Sequence, residues 1–408
     1  MPRRRTGLLW TFIALLIGSA TAQEAPIRIG VLNDQSGVYA DFGGQGSVLA
    51  ARMAVEDYGG RVLGRPVEVV SADHQNKPDI ASNIARRWFD LDNVDAVLDL
   101  TTSVVALAVR EVAVARNRAL LISSASSPDM TGKACSPVTV HWGFDSYANA
   151  NVAAKATVAA GGKRWFFVTG DNAGSRAQEA QAMRFLEAEG GTAVGGVRHS
   201  LGTADFSSYL MQAQASKADV IALANAGGDM INAIKQSQEF GIIRSGQNIV
   251  PMLAFISDIH ALGLEAAQGL TFASGFYWDR TESTRAWSRR FMKRNRERAP
   301  TVVQAGTYSL VLHFLKAMDA ARTEAGDAVV RAMKAQPVND ALWSNVTIRD
   351  DGRGLNDMYL VRVKTPAEST EPWDLYKILA TVPGSEAYRP TADGGCPLAA
   401  AAPSVPRP

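Results

Sequence analysis

Short apolar runs bounded by turn residues alternate along this chain with longer stretches whose apolar residues recur at helical spacing. The runs 27–32, 67–71, 95–98 and 120–123 are of strand length and apolar enough to be covered on both faces. Between them, 46–58, 78–91 and 104–116 read as helices, so the segment forms strand-helix-strand units around a parallel sheet. A second cycle begins near Ser146, with helices at 147–160, 176–189, 206–215 and 229–240 and strands at 164–169, 193–199, 220–224 and 249–253. Gly161-Gly162 and Gly190-Gly191 fall where two of these helices must stop. Beyond Gly269 come a strand at 270–275, helices around 284–298 and 302–321, and strands at 358–363 and 375–380.

The pattern predicts an α/β protein of two doubly wound parallel-sheet lobes. Residues 23–145 with 275–340 form the first lobe, 146–274 with 341–385 the second, and 386–408 a C-terminal tail rich in Pro and Ala from 397 onward.

Ahead of the first strand, Arg3, Arg4 and Arg5 precede an apolar run over 8–17, and Ala20-Thr21-Ala22 supplies small residues. This is the layout of an export signal over residues 1–22, cleaved after Ala22. The run is short for a membrane span, and Gln23 is not a lipid-bearing cysteine, so the expected location is the periplasm. The 42 Lys and Arg nearly balance the 40 Asp and Glu, and no bulk field recommends nucleic acid as a partner. The only cysteines are Cys135 and Cys396; in an oxidising compartment such a pair predicts a disulfide that ties the tail to the body.

Candidate chemistry gathers where predicted strands end. The long loop of small and hydroxylated residues between Asn33 and Gly46 follows the first strand, Thr101-Thr102-Ser103 the third, and Ser124-Ala125-Ser126-Ser127 the fourth. Hydroxyls and free N–H groups at such ends suit a carboxylate without any cationic side chain, although helix capping alone also accounts for them. Tyr39, Phe42, Trp142, Phe255, Tyr277 and Trp278 stand near strand ends or chain crossings and could wall an apolar ligand body; Trp142 and Trp278 serve equally well as packing. The five histidines share no helical face, and neither a nucleophile elbow nor a complete dinucleotide loop occurs, so no metal, cofactor or enzymatic activity is expected. The basic run Arg289, Arg290, Lys293, Arg294, Arg296 and Arg298 is either a docking face or, more commonly for such runs, a solvated helix face.

The segments IRIGVLNDQSG, EVVSADHQNKPDIA, TTSVVALAV, LISSASSPDMTG and ANAGGDMINAIKQSQEFGI, in this order, resemble the type I periplasmic solute-binding proteins of ABC transporters, of the leucine/isoleucine/valine-binding class. The resemblance implies two lobes joined by three crossovers, closure on a small molecule, and delivery to a membrane permease by a monomeric receptor. It places carboxylate contacts on Ser103, Ala125 and Ser126, beside Thr102 and Ser124, and further contacts on Phe42, Asn172, Ala173, Asn225 and Ala226. The position expected to carry an acid for a ligand ammonium is Phe255, which turns the expectation from an amino acid toward an aromatic acid. Asp171 and Asp258 stand near enough in sequence to restore an amine partner. A branched-chain amino acid or small amide, or a sensory role on the same fold, are the alternatives.

Overall fold

The computed structural model describes residues 25–400, so the expected export signal and its cleavage site lie outside the described residues, as do residues 401–408. The first sheet contains β1 (Ile27–Asn33), β2 (Arg61–Val62), β3 (Arg65–Asp73), β4 (Val94–Asp99), β5 (Ala119–Ile122) and β6 (Thr139–His141), in the order β2-β3-β1-β4-β5-β6. Apart from the β2/β3 hairpin, its pairs are parallel. Helices α1 (Gly44–Tyr58), α2 (Pro78–Asp90) and α3 (Ser103–Ala115) make the crossovers. Strands β4 and β5 are buried along their whole length, β5 as an unbroken apolar run and β4 with Asp95 and Asp99 buried among its apolar residues.

The second cycle runs α4 (Ser146–Ala159), β7 (Arg164–Gly170), α5 (Ala173–Ala188), β8 (Thr192–His199), α6 (Ser207–Ala215), β9 (Val220–Ala224), α7 (Gly228–Glu239) and β10 (Asn248–Pro251). Its sheet is parallel throughout, in the order β10-β9-β7-β8. There follow α8 (Ile256–Leu262), α9 (Leu264–Ala267), β11 (Thr271–Ser274), α10 (Glu282–Arg294), α11 (Val302–Ala321), α12 (Gly326–Ala335), β12 (Met358–Val363) and β13 (Tyr376–Val382). Strands β11, β12 and β13 form a separate antiparallel sheet, so the second lobe is not purely parallel as its pattern predicts. The reason shows in β13, where only Tyr376 is buried and the rest is partly or fully exposed, which an antiparallel sheet tolerates and a doubly covered parallel sheet does not.

Three stretches carry the chain between the two sheet systems: β6 to α4, β11 to α10, and α12 to β12. They are packed tightly against one another. A Cβ on Gly275 would lie 2.1 Å from the Gly143 carbonyl oxygen, so the first two stretches can approach only because residue 275 has no side chain. Trp142 meets Trp343 edge to face with centroids 5.6 Å apart, and Trp278 donates its indole N–H to the Trp373 carbonyl at 2.8 Å. Both tryptophans are therefore packing residues of the region where the chain crosses between the sheets. Arg353, fully buried, donates to the Phe144 carbonyl at 3.2 Å, faces Asp145 at 3.5 Å and lies over the Tyr388 ring.

Cys135 and Cys396 are joined by a disulfide. The basic run is stitched to acidic neighbours: Arg289 to Glu371, Arg290 to Asp57, Arg294 to Glu56 and Arg298 to Asp41, at 2.6–3.3 Å. Apart from Asp57 the paired side chains are substantially exposed, and ion pairs of this kind contribute about 0–1 kcal/mol each.

Candidate ligand cleft

Loops that follow parallel strand ends in both sheets converge on one narrow cleft with a cavity volume of about 40 Å³. It is lined by Tyr39 and Phe42 after β1, Thr101, Thr102 and Ser103 after β4, and Ser124 and Ser126 after β5. The opposite wall brings Asn172, Gly174, Ser175 and Gln178 after β7, Ala226 after β9 and Leu253 after β10.

The first wall is built on a strained turn. Asp99 and Leu100 adopt φ of 80° and 61°, a region that side chains disfavour, and this bend delivers Thr101 to Ser103 to the cleft. Asp99 is fully buried, and desolvation lifts its pKa to about 6 against the pull of hydrogen bonds from Asn33 at 2.8 Å and Ser123 at 3.4 Å. Thr101 Oγ1 accepts the Asp34 N–H at 2.8 Å, and Ser103 Oγ accepts the Ser127 N–H at 3.1 Å, so the three loops brace one another. Thr102 occupies the N-cap of α3 without capping it by its side chain. Among the described residues, Thr102 Oγ1 and Ser124 Oγ are buried without a hydrogen-bond partner.

The second wall places the start of α5 directly opposite. Asn172 caps this helix, accepting the Ser175 N–H at 3.0 Å. A Cβ on Gly174 would stand 3.2 Å from Ser126 Oγ and 3.6 Å from Ser103 Oγ, so the first turn of α5 touches both hydroxyl-bearing turns. The N-termini of α3 and α5 thus meet at one place, each contributing a positive dipole end and free N–H groups.

Aromatic rings close one side. Phe42 stacks on Phe255 with centroids 4.2 Å apart, Tyr39 lies 5.4 Å from Phe42, and Phe144 meets Phe255 edge on at 5.7 Å. Asp34 shapes this loop by accepting the N–H groups of Gly37 at 2.8 Å and Tyr39 at 3.1 Å. Burial, then the charges of Asp229 and Asp34, push the Tyr39 phenol upward, so it stays a neutral hydroxyl.

Of the residues expected from sequence, Tyr39, Phe42, Thr102, Ser103, Ser124, Ser126, Asn172 and Ala226 line the cleft. Ala125 is buried beneath it, its carbonyl accepting from His141 Nε2 at 2.7 Å. Ala173 opens α5 beside the lining residues, and Asn225 lies behind Ala226, bonded to His199. Phe255 stands behind Phe42 instead of facing the cleft. Tyr277 is not brought there at all: its hydroxyl donates to Asp374 at 3.2 Å and its ring stacks on Tyr376.

Asp171 and Asp258 are turned to other partners. Asp171 pairs on the surface with Arg176 at 2.5 Å, and buried Asp258 accepts the Phe255 N–H at 2.9 Å. None of the lining residues among the described ones carries a formal charge. Gly174, Ser175, Gln178 and Leu253 escaped the sequence reading. The signal for Gln178 was a polar residue on the buried Ser175, Ala182 and Leu186 side of α5.

A model of the periplasmic binding protein family matches residues 26–370. A periplasmic binding protein from Burkholderia mallei is 43% identical, with 91% of this chain and 99% of that one covered and a TM-score of 0.89. A branched chain amino acid ABC transporter periplasmic ligand-binding protein from Burkholderia xenovorans LB400 is 38% identical over the same shares, with a TM-score of 0.82. A solute binding protein of an ABC transporter from Rhodopseudomonas palustris BisB5, solved with 3,4-dihydroxy benzoic acid, shares the fold at 20% identity, covering 88% and 98%, with a TM-score of 0.79. No curated protein matches the chain.

Proposed function

We propose, because the chain belongs to the periplasmic binding protein family, that its cleft holds a small carboxylate with an apolar body, an aromatic acid in preference to an amino acid. As a substrate-binding protein of an ABC transporter it has a small-molecule ligand and a permease as partners. The observation that carries the carboxylate is the meeting of the α3 and α5 N-termini between two hydroxyl-bearing turns. Such a place stabilises an anion through N–H donors and dipoles, with no counter-cation. The uncharged lining leaves an ammonium unpaired, and a buried unpaired charge is strongly disfavoured. The Rhodopseudomonas protein solved with an aromatic acid supports this choice of ligand. The description of the Burkholderia xenovorans relative favours a branched-chain amino acid instead, and that reading needs an acid at the cleft.

The rest of the reading follows the same premise. Residues 23–145 with 275–340 would move as one lobe and 146–274 with 341–385 as the other, since α11 packs on α1 and α12 on β5 while β12 pairs with β11. The protein would work as a monomer in the periplasm after cleavage behind Ala22.

A thermal-shift screen tests the ligand. An acid at about 100 times its dissociation constant adds roughly 2.7 kcal/mol of stability. Benzoate-like acids should raise the melting point, and leucine, valine and simple amides should not; the reverse pattern rejects the aromatic-acid reading. Ser103→Ala and Ser126→Ala should each weaken the bound acid about tenfold, the worth of one hydrogen bond to a charged group. Unchanged affinity in both variants rejects the cleft as the carboxylate site.

A further inference from the structure

The loop that walls the cleft has a second face. Tyr39 and Phe42 line the cleft, whereas Gln35 and Asp41 of the same loop line a separate cavity of about 420 Å³. Its other sides come from elements of both sheet systems. Arg52 stands on α1, and Arg294, Arg296 and Arg298 lie at and just beyond the end of α10. Opposite them, Ser257 comes from α8 and Trp373 from the segment ahead of β13. Four guanidinium groups and one carboxylate, that of Asp41, therefore share one concavity.

Charge pairing in this cavity is incomplete. Arg294 is paired with Glu56 at 2.6 Å and Arg298 with Asp41 at 3.0 Å. The side chains of Arg52 and Arg296 are exposed and enter neither a hydrogen bond nor an ion pair among the described residues. Glu297, next to Arg296, does not line the cavity and pairs with none of the four arginines. The chain leaves α10 through two left-handed residues, Arg296 and Glu297, at φ of 53° and 58°, a bend that costs free energy and brings Arg296 to the cavity.

The rest of the lining is fixed in advance. Gln45 donates to Gln35 Oε1 at 2.6 Å, Gln35 to Asn33 Oδ1 at 3.1 Å, and buried Gln304 to the Gly43 carbonyl at 3.2 Å. Ser257 Oγ, in contrast, is buried without a hydrogen-bond partner among the described residues. An orphan hydroxyl thus lies across the cavity from two uncompensated positive charges.

We propose that this cavity is a second binding site, separate from the cleft, for a small doubly charged oxoanion of the phosphate type. Two unpaired guanidinium groups match two negative charges, and their planar N–H forks suit the oxygens of a phosphate. A concavity lined mainly by one sign of charge concentrates the opposite ion. The Ser257 hydroxyl donates to the same ion, so occupancy ties α8 to the arginines of α1 and α10. The site does not depend on which solute the cleft takes.

The test is calorimetric titration of the full chain with inorganic phosphate and sulfate at pH 8, with chloride at matched ionic strength as the monovalent control. Both dianions should bind saturably and chloride should not, with an affinity that falls as salt is added. Arg52→Gln and Arg296→Gln should each weaken phosphate about tenfold, the worth of one hydrogen bond to a charged group. Arg296→Lys, which keeps the charge but loses the fork, should fall between the parent and Arg296→Gln. Ser103→Ala, in the cleft, should leave phosphate binding unchanged. Absence of saturable phosphate binding, or undiminished binding in the double variant of Arg52→Gln and Arg296→Gln, overturns the site. Loss of phosphate binding in Ser103→Ala but in neither arginine variant places the anion in the cleft and overturns it equally.

Discussion

At the residue scale, Asp258 shows how a group chosen for an amine can serve the backbone instead. Fully buried, it accepts the Phe255 N–H, and burial raises its pKa to about 7, well above the ordinary carboxylate value of 3.8. Between those two values the unfolded chain carries a charge that the folded chain does not accept. The stability that Asp258 contributes is therefore present below about pH 4 and lost as pH rises through 7. Asp99, raised to about 6, adds a slope of the same sign. In Asp258→Asn an amide oxygen can still accept the Phe255 N–H, but no charge develops. Relative to the parent, the melting temperature of this variant should improve from pH 5 to about pH 7 and level off above it; a constant difference between pH 5 and 7 refutes the assignment. The two hydroxyl-bearing turns that line the cleft were legible in sequence because each directly follows a buried strand. Of the second wall Asn172 and Ala226 were legible and Gln178 was not, while Phe255 and Tyr277 are taken up by ring packing on Phe42 and Tyr376 that no spacing in the sequence announces.

At the element scale, the parallel units could be read from their apolar runs, whereas the pairing of short, half-exposed strands could not. Strand β2 has two residues, and its hairpin turns through Leu63 and Gly64, both at positive φ, without the usual Asn-Gly signature. β11, β12 and β13 carry strand patterns that do not reveal antiparallel pairing. The start of α7 depends on one glycine in a way that bears on closure. Gly227 has φ 58° and ψ −135°, and a Cβ there would lie 2.6 Å from the Val38 carbonyl oxygen and 3.2 Å from the Tyr39 ring. The first contact is with backbone of the opposite wall and cannot be relieved by a rotamer change. Gly227→Ala should therefore weaken ligand binding by about tenfold or more, while the ligand-free protein loses unfolding free energy only by the strain of one residue, about 1–3 kcal/mol. Titration and thermal unfolding of the same preparation separate the two effects. Unaltered affinity means that the α7 start does not meet the 38–39 loop in the bound form.

At the scale of the whole molecule, the crossings between the sheet systems are held by a C-terminal strap. Tyr388 donates to the Gly143 carbonyl at 3.1 Å, Asn151 to the carbonyls of Glu386 and Ala387 at 2.8 and 3.0 Å, and Arg389 to that of Pro128 at 2.7 Å. The disulfide from Cys135 to Cys396 ends the strap and closes a loop spanning 261 positions of sequence. A cross-link over so long a loop removes much freedom from the unfolded chain, and native bridges typically contribute about 2–4 kcal/mol. Cys396→Ser paired with Cys135→Ser should lower unfolding stability by about that amount, measured by chemical denaturation. None of the residues from 384 to 396 lines the cleft, and Tyr388 and Arg389 hold the strap by polar contacts of their own. The increment in melting temperature produced by ligand should therefore survive in the double variant. A lost increment with little change in stability would mean that the strap governs closure more than folding, and would move the role of the disulfide from holding the chain together to setting the angle between the lobes.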